Sequence, residues 1–446
     1  MTAPTRTSNE MVGLRKLVDH TDPGVAGAEL HAFARELYPI CRSITGEGIR
    51  QTLDLIGERI PLRKFDVPTG TPVFDWTVPK EWNIRDAYIR DSSGRRVVDF
   101  QKSNLHILNY STPIRAKMTL GELRPHLFTI PDQPDWIPYR TSYYKEDWGF
   151  CISHNQLESM KDGEYEVCID SSLENGRLTY GECYLPGQSA DEVLISCHAC
   201  HPSLANDNLS GLTIATFLAS FLSQSDRRYS YRFLFIPGTI GAITWLSQNQ
   251  ETTGRVRHGL VLTCIGDLGG FHYKKSRRGN AEIDRATAHV LKHQAEPFET
   301  MEFSPYGYDE RQYCSPGFDL PVGCLMRSVW GTFPEYHTSA DNLDFIRPEK
   351  LAASLRVCAA IVDILENNRS YRNLKPFCEP QLGRRDLYRT TGGNAIGQEI
   401  HARLWVLNLS DGDHSLLEIA ERSGLPFSQI CDAADLLQQA GLLAEI

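Results

Sequence analysis

The feature that most constrains the fold is an alternation of short apolar runs with helical segments between Asp191 and Leu365. The runs VLISCH, YRFLFIP and LVLTCIGD have the length and composition of buried strands, and the segments SGLTIATFLASFLSQ and GAITWLSQN are predicted helices. Strands that alternate with helices form a mainly parallel sheet with helices on both faces. We therefore predict an α/β fold whose three-layer α/β/α core contains a mixed, mainly parallel sheet.

The segments around this core have different patterns. Ala26 to Tyr38 and Thr45 to Ile56 carry apolar residues at helical spacing, and short strand-like runs separated by turn residues follow from about Pro61. After a linker rich in Pro, Gly, Asn and Arg, the tail has the order of a winged helix-turn-helix. We predict a discontinuous core at 25–62 and 174–366 that is interrupted by an inserted all-β domain at 63–173. A linker at 367–398 and a winged-helix domain at 399–446 follow.

Charge and hydropathy limit the partners of the chain. The net charge of −10 is spread over 446 residues without a basic block, so we expect a small-molecule or short peptide substrate rather than nucleic acid or an anionic membrane. The acidic tail favours a protein contact, such as a homo-oligomer, over DNA. No apolar stretch is long enough to span a bilayer and the start lacks a signal peptide, which predicts a cytoplasmic protein with reduced cysteines.

Two sequence windows carry metal-ligand chemistry. His198, His201 and Asp207 lie within ten residues, where a predicted strand gives way to a loop and a helix. Imidazole nitrogens and carboxylate oxygens are common ligands of catalytic zinc, and the flanking Asn206 and Asn208 are expected to fix the Asp207 carboxylate. A second polar window, PEYHTSADN, contains His337 between Glu335 and Asp341. Together the windows predict a site for one or two zinc ions.

The order of these motifs resembles that of the co-catalytic dizinc aminopeptidases and of the glutaminyl cyclases that share their fold. A strand-end His, Asp-Asn-x-Ser-Gly, a strand-end Asp and Tyr-His-Thr-x-x-Asp occur in that order. The chain is more similar to an uncharacterised aminopeptidase-like family, often found near carbohydrate-biosynthesis genes, that adds an inserted β domain and a C-terminal winged helix. The phrases that carry this resemblance run from about residue 30 and are YPICRSITGEG, VFDWTVPKEWNI, IPYRTSYY, CHPSLANDNLSG, GYDERQYCSPG and PEYHTSADN.

The resemblance implies a role for each candidate metal ligand. His198 corresponds to the ligand of the first metal, Asp207 to the carboxylate that bridges two metals, and His337 to the ligand of the second metal. Asp267, at the predicted end of a strand, corresponds to a further ligand. His201 has no counterpart, so it either acts as an additional ligand or holds the loop.

One departure from the aminopeptidase pattern affects the chemistry. The dizinc aminopeptidases have two adjacent glutamates at the end of a strand, a general base and a metal ligand, where this chain has Gly238 and Thr239. A single metal with three protein ligands is one consequence, and another carboxylate must then act as the base, for which Glu310 and Glu335 are the candidates. The alternative for 309–311 is a salt bridge within a loop.

Several further side chains are candidates for substrate binding. Two of these are arginines that suit an anionic group, and the full set is Tyr308, Asp309, Arg311 and Arg327. The basic run at 274–278 either binds an anion or is a solvated turn. The aromatic run from Tyr139 to Tyr144 either covers the catalytic cleft or packs against the core.

The motifs favour a zinc-dependent, aminopeptidase-like hydrolase. Its expected substrate is the amide bond of an aminoacyl or acylated amino compound, in carbohydrate or secondary-metabolite biosynthesis. The missing glutamates leave two alternatives open. One is an amide-forming or cyclising acyltransferase of the glutaminyl-cyclase type, and the other is a catalytically silent binding protein on the same scaffold.

Overall fold

An eight-stranded mixed sheet lies at the centre of the computed structural model, which describes residues 22–388 and 397–446. The strands of this sheet and of four smaller ones are β1 (Arg63–Pro68), β2 (Pro72–Val73), β3 (Trp76–Thr77), β4 (Glu81–Arg90), β5 (Arg96–Asp99), β6 (Ile114–Thr119), β7 (Leu127–Phe128), β8 (Phe150–Cys151), β9 (Glu164–Glu174), β10 (Arg177–Leu185), β11 (Glu192–His198), β12 (Ser230–Ile236), β13 (Val256–Leu262), β14 (Phe271–Lys274), β15 (Phe298–Met301), β16 (Val322–Met326), β17 (Ser370–Asn373), β18 (Asp411–Ser415) and β19 (Leu443–Glu445). The α-helices are α1 (Pro23–Leu37), α2 (Glu47–Gly57), α3 (Leu120–Leu123), α4 (His154–Ser159), α5 (Gly211–Ser223), α6 (Ile240–Gln248), α7 (Gln250–Thr253), α8 (Glu282–His293), α9 (Glu310–Tyr313), α10 (Pro348–Asn367), α11 (Gln398–Leu409), α12 (Leu416–Ser423) and α13 (Phe427–Gln439).

The strands of the large sheet have the order β1-β10-β12-β11-β13-β16-β14-β15. The middle strands β12, β11, β13 and β16 run parallel, and the flanking strands β10 and β14 pair antiparallel with them. Every residue of β11 and β12 is buried, as expected for parallel strands that are covered on both faces. The predicted α/β class and mixed, mainly parallel sheet are confirmed.

Different parts of the chain cover the two faces of the sheet. In β11, Val193, Ile195 and Cys197 pack in a cluster with residues of α1, α5 and α10. Leu194 packs in a second cluster, which contains residues of α6 and of the strands between β1 and β10. This division follows because successive side chains of a strand point to opposite faces.

The region between β1 and β10 contains a separate antiparallel sheet with the order β5-β4-β9-β6. Strand β1 falls inside the range 63–173 assigned to the inserted domain, yet it pairs with β10 at the edge of the large sheet. Most side chains of β1 are exposed. Because an edge strand of this kind lacks a continuous apolar run, its sequence does not distinguish it from the strands of the insert.

The C-terminal domain combines the sheet β18-β17-β19 with helices α11, α12 and α13. This is the strand and helix content of a winged helix-turn-helix, as predicted. Strand β17 falls inside the range 367–398 assigned to the linker but pairs antiparallel with β18 and β19. The part of the linker at 389–396 lies outside the described residues.

The C-terminal domain packs directly on the α/β core. Apolar residues of α11, α12 and α13 belong to the same buried cluster as those of α8 and α10. At the start of α13, the backbone N–H of Phe427 donates to Nε2 of His289 in α8 at 3.1 Å. Arg285 of α8 forms an ion pair with Glu421 of α12.

Acid is expected to weaken this contact through His289. Burial lowers the pKa of the His289 imidazole from 6.5 to about 4, so the folded state favours the neutral ring that accepts from Phe427. The contribution of the neutral His289 ring to the free energy of unfolding is then present above pH 6.5 and is lost as the pH falls toward 4. The loss is about 2 kcal/mol at pH 5. Urea titrations at pH 7.5 and 5 measure this loss. A His289→Gln variant retains an acceptor without titrating, and an equal loss in that variant would contradict the assignment.

All twelve cysteines are free. Burial raises the pKa of the Cys200 thiol to about 12 and that of the Cys197 thiol well above its ordinary value, so both are protonated. Within the described parts of the chain, no helix combines the length and apolar character needed to cross a membrane.

Candidate metal centre

The candidate centre lies at the carboxyl end of the parallel strands. His198 is the last residue of β11, and the segment Ala205–Ser210, in which Asp207 has a non-helical backbone conformation, leads into the start of α5. His337 lies in the loop between β16 and α10. The loops that follow parallel strands meet at one edge of the sheet, which is where ligands bind in folds of this class.

Four side chains converge there at short distances. Nε2 of His198 lies 2.7 Å from Oδ1 of Asp207 and 3.1 Å from Nδ1 of His201. The other Asp207 oxygen, Oδ2, lies 3.3 Å from Nδ1 of His201 and 3.0 Å from Nε2 of His337. Asp207 therefore joins all three imidazoles, and the structure places His201 in the centre rather than only in the supporting loop.

The protonation states of these groups suit a metal. Burial alone would raise the pKa of the Asp207 carboxyl, but the adjacent His201 and His198 rings hold it well below its ordinary value. Burial lowers the pKa of the His201 and His337 imidazoles. An ionised carboxylate beside neutral imidazoles is the form in which these side chains bind a cation.

The donor set also meets the geometric requirement for a single ion. One potential ligand atom from each of His198, His201 and Asp207 lies within 4.8 Å of the others, and all three residues are buried. Nitrogen and oxygen donors of this kind match the preferences of zinc, for which three protein ligands leave one position open. His337 contacts the same carboxylate but lies outside this triplet and is one third exposed.

Backbone contacts hold Asp207 in position. The buried carboxylate of Asp341 accepts from the backbone N–H of Asn206 at 2.6 Å and of Asp207 at 3.0 Å. Burial raises the pKa of the Asp341 carboxyl to about 8. The sequence indicated Asp341 only as a neighbour of His337. Its contact with the loop of Asp207 joins two segments that are far apart in the chain, and the spacing of residues within a motif cannot predict such a contact.

The prediction that Asn206 and Asn208 fix the Asp207 carboxylate is wrong, because both amides have other partners. Nδ2 of Asn206 donates to Oδ2 of Asp267 at 2.7 Å, and Nδ2 of Asn208 donates to the carbonyl of Leu262 at 2.9 Å. Neither amide bonds to the Asp207 carboxylate. They instead fix the loop around it to the ends of neighbouring strands.

A buried arginine, which the sequence analysis missed, supports His201. Nε of Arg42 donates to the His201 carbonyl at 2.8 Å, and Nη1 donates to the carbonyl of Leu37. The Arg42 side chain is fully buried, and burial lowers the pKa of its guanidinium to about 10. Nothing in the motif spacing separates this arginine from the many that lie on surfaces.

The inserted domain contributes directly to the centre. The backbone N–H of Tyr139 donates to the carbonyl of His337 at 2.7 Å, and the Tyr139 ring lies 5.1 Å from the rings of both His201 and His337. His337 has a φ of +56°, a left-handed conformation that non-glycine residues adopt at a cost of about 1–2 kcal/mol. The segment that contains Tyr139 thus helps to hold the strained loop of His337.

Asp267 and Arg327, two predicted site residues, have partners outside the histidine cluster. Oδ1 of Asp267 accepts hydrogen bonds from the Ser328 hydroxyl and from the backbone N–H of Gly269, and Oδ2 accepts one from Nδ2 of Asn206. Arg327 is buried and forms ion-paired hydrogen bonds with Glu296 at 2.7 and 3.1 Å. The structure does not join either residue to the cluster by a hydrogen bond.

Glu310 is held in a buried ion pair. Its Oε1 accepts from Nζ of Lys274 at 2.7 Å, with both side chains almost completely buried, and its oxygens also accept from the backbone N–H of Tyr308. The predicted role of Glu310 as a free general base therefore conflicts with its contacts. The same ion pair shows that Lys274, from the basic run, is not a solvated side chain.

The other predicted residues have fewer partners. Among the described residues, neither carboxyl oxygen of the buried Asp309 has a hydrogen-bond partner, and Nε of Arg311 has none. Burial raises the pKa of the Asp309 carboxyl well above its ordinary value. Glu335 is half-buried, and no hydrogen bond or ion pair of its carboxylate occurs among the described residues.

Tyr308 occupies the space beside Gly238. A Cβ at Gly238 would lie 2.1 Å from Cε1 of Tyr308, so no larger side chain fits there while the ring keeps its position. The Tyr308 ring lies 4.0 Å from the His198 ring, and its hydroxyl is 3.5 Å from Nε2 of His201. The space beside Gly238, where the resemblance to the dizinc aminopeptidases implies a glutamate side chain, is therefore filled by the phenol of Tyr308.

Comparisons with known proteins agree with the fold and with the organisation of the chain. The combination of the mixed sheet with a histidine and aspartate cluster at its carboxyl edge is that of an aminopeptidase-like protein. The family profile of DUF4910, a domain of unknown function, matches residues 31–368, and that of a winged helix-turn-helix matches residues 369–445. The chain belongs to the DUF4910 family.

Individual relatives show the same architecture. A Clostridium acetobutylicum protein is 52% identical over 418 residues, which cover 94% of this chain and 96% of that protein, and its provisional name is polysaccharide biosynthesis protein with aminopeptidase-like domain. A crystal structure from the same organism, provisionally described as a peptidase, has a TM-score of 0.93 at 50% identity, covering 98% and 100% of the two chains. The zinc aminopeptidase BSAP of Bacillus subtilis has a TM-score of 0.55 at 13% identity, covering 75% and 94%, and is similar in fold alone.

Proposed function

We propose that the chain is a zinc-dependent, aminopeptidase-like hydrolase that cleaves an amide bond of an aminoacyl or acylated amino compound. The observation that carries the proposal is the convergence of His198, His201 and Asp207 on one point. His337 would complete the set through its contact with Asp207. When bound, the metal would polarise the substrate carbonyl and lower the pKa of a water molecule toward 7.

The remaining steps fall to side chains of the protein. Glu335 is the better of the two proposed bases, because its carboxylate is free of partners among the described residues and lies two positions before His337. Tyr308 would donate a hydrogen bond to the substrate, since burial raises the pKa of its phenol well above the ordinary value and keeps it protonated. The Tyr308 hydroxyl lies next to His201, and the absence of a side chain at Gly238 makes room for the Tyr308 ring.

The relatives suggest a context for this reaction. The printed name of the Clostridium acetobutylicum relative places it in polysaccharide biosynthesis, and we propose that this chain acts on an amino sugar with an acyl or aminoacyl group. Twelve free thiols, ten of them buried, support a reducing, cytoplasmic location.

The winged helix is proposed to brace the core rather than to read DNA. In helix-turn-helix proteins the first residues of the recognition helix contact base edges. At the corresponding start of α13, the backbone N–H donates a hydrogen bond to His289 of α8. This contact supports a role of the winged helix in packing against the core. Self-association through the exposed remainder of this domain is compatible with that role.

The function is tested by incubating the zinc-loaded protein with aminoacyl amides and a trapping amine. We expect products that have gained water, with turnover lost on chelation and restored by zinc. Products that have gained the amine would instead support the acyltransferase, and intact substrates would support a silent binding protein. Glu335→Gln is expected to retain zinc while turnover falls about 100- to 10,000-fold.

The control for the base is Glu299→Gln, which removes an exposed carboxylate at the far edge of the sheet in β15. This variant should behave as the unmodified protein. Full activity of Glu335→Gln would exclude Glu335 as the base.

A further inference from the structure

A continuous series of aromatic rings connects the candidate metal centre to the surface. Tyr139 touches His201 and His337, and its hydroxyl lies 3.0 Å from the hydroxyl of Tyr143. The series continues through Tyr144, whose ring centroid is 6.5 Å from that of Tyr143, to Trp76, 5.4 Å further on. We name these four residues, Tyr139, Tyr143, Tyr144 and Trp76, the aromatic path.

The rings at the outer end of this path are more exposed than those at the inner end. Tyr139 is only 5% exposed, whereas Trp76 and Tyr144 at the outer end are 46% and 53% exposed. Large aromatic side chains are normally buried when they have only a packing role, and adjacent exposed rings mark surfaces that bind something. The outer pair therefore has the character of a binding surface that extends from the centre.

Backbone conformation supports this reading. Tyr144 has a φ of +65°, and Phe74, two residues before Trp76, has a φ of +57°. A positive φ is a genuine outlier for bulky residues, and such strain concentrates at binding sites and catalytic sites. The two segments that present the outer rings both carry this cost while leaving a large aromatic side chain half exposed.

Charged residues lie close to the outer rings in the sequence. Asp75 is exposed between Phe74 and Trp76. Glu146, two residues beyond Tyr144, is largely exposed, with an ion pair to Lys80 of 2.7 Å. An apolar side chain of a peptide prefers an enclosed apolar pocket, which this open surface does not provide. A sugar ring fits both features, since its C–H faces pack on electron-rich rings and its hydroxyls donate to carboxylates.

We propose that Trp76 and Tyr144 form a carbohydrate-binding subsite that holds an outer sugar of an oligosaccharide substrate, while the acylated amino group of a sugar further along the oligosaccharide reaches the metal centre. The inference rests on the proposed function for the location of the reacting group. The binding surface itself depends only on the rings and carboxylates. Because the subsite lies away from the reacting bond, it contributes to binding of the substrate rather than to the chemical step.

The test compares two substrates that share one aminoacyl group. One is an oligosaccharide of glucosamine that carries the aminoacyl group on the nitrogen of one terminal sugar, and the other is the matching aminoacyl methylamide, which has no sugar. Trp76→Ala and Tyr144→Ala should each raise KM for the sugar conjugate about 3- to 10-fold with kcat unchanged. The methylamide should be hydrolysed as well as by the unmodified protein. The control is Phe377→Ala, which removes an exposed ring that is not part of the path and should change the hydrolysis of neither substrate.

Several results would overturn the proposal. Equal losses for both substrates would indicate a structural role for the rings, and a stronger effect on an aminoacyl-phenylalanine amide than on the sugar conjugate would indicate a peptide subsite. Conversion of a dimer to a monomer by Trp76→Ala, seen by sedimentation, would make the outer rings a contact between copies of the chain.

Failure of the subsite and failure of the proposed function are distinguished by binding without turnover. Saturation-transfer NMR with N-acetylglucosamine should detect contact with the unmodified protein and lose it in Trp76→Ala. If neither substrate is hydrolysed but this difference is observed, the hydrolase proposal fails and the subsite stands. If hydrolysis proceeds and N-acetylglucosamine gives no signal, the subsite is contradicted and the hydrolase stands.

Discussion

Replacing Asp207 with asparagine is expected to lower the affinity for zinc by at least about 100-fold and to abolish metal-dependent turnover. The Asp207 carboxylate lies within 3.3 Å of nitrogens from three imidazoles, so it is the shared charged donor of the centre. Loss of an outer partner of a metal ligand already costs about 10- to 100-fold in affinity. Competition titration with a chromophoric zinc chelator measures the change.

Asp267→Asn is the matched control for this prediction. Asp267 is equally buried, but its oxygens accept from Asn206, Ser328 and the backbone of Gly269 rather than from the histidine cluster. This variant should bind zinc with nearly unchanged affinity. A loss as large as that of Asp207→Asn would restore Asp267 as a ligand, as the resemblance to dizinc aminopeptidases implies.

Breaking the buried ion pair of Glu310 should have the largest effect on stability. Glu310→Gln leaves the ammonium of Lys274 buried without a counter-charge, and removal of one partner of such a pair costs about 3–5 kcal/mol. Urea unfolding monitored by tryptophan fluorescence measures the loss. The double variant Lys274→Met/Glu310→Gln removes both charges and should recover most of the stability.

This prediction also decides between two roles for Glu310. If Glu310 were the general base, Glu310→Gln would fold normally and lose turnover. If it is a structural partner of Lys274, stability falls and the double variant regains both stability and activity. Normal stability with lost activity would contradict the structural role.

The sequence predicted the parts of the fold that depend on local pattern. The fully buried strands β11 and β12 are continuous apolar runs, and the hydrophobic period identifies them without any tertiary information. The edge strand β1 and strand β17 of the winged helix have no such run. They were assigned to the insert and to the linker because pairing with β10, or with β18 and β19, is a property of the folded chain.

The same distinction applies to the candidate centre. His198, His201 and Asp207 lie within ten residues, so their chemistry was readable as one motif, and the structure brings them together with His337. A local motif does not indicate the roles of Glu310 and Arg327. Their opposite charges, Lys274 and Glu296, lie on other segments, and only the fold shows that each is already paired.

Asp341 and Arg42 show what the sequence could not supply. Both act on the backbone of the ligand loop, Asp341 on Asn206 and Asp207 and Arg42 on the carbonyl of His201. A backbone N–H or carbonyl is present at nearly every position, so a contact with it leaves no trace in residue type. Such supports become visible only in three dimensions.

The most direct test of the central claim is anomalous diffraction at the zinc absorption edge from crystals of the protein grown with zinc. We expect a peak bounded by Nε2 of His198, the carboxylate of Asp207 and Nδ1 of His201, with Nε2 of His337 beside it. The absence of a peak at this place, or a peak at other side chains only, would contradict the assignment of these residues as a zinc centre.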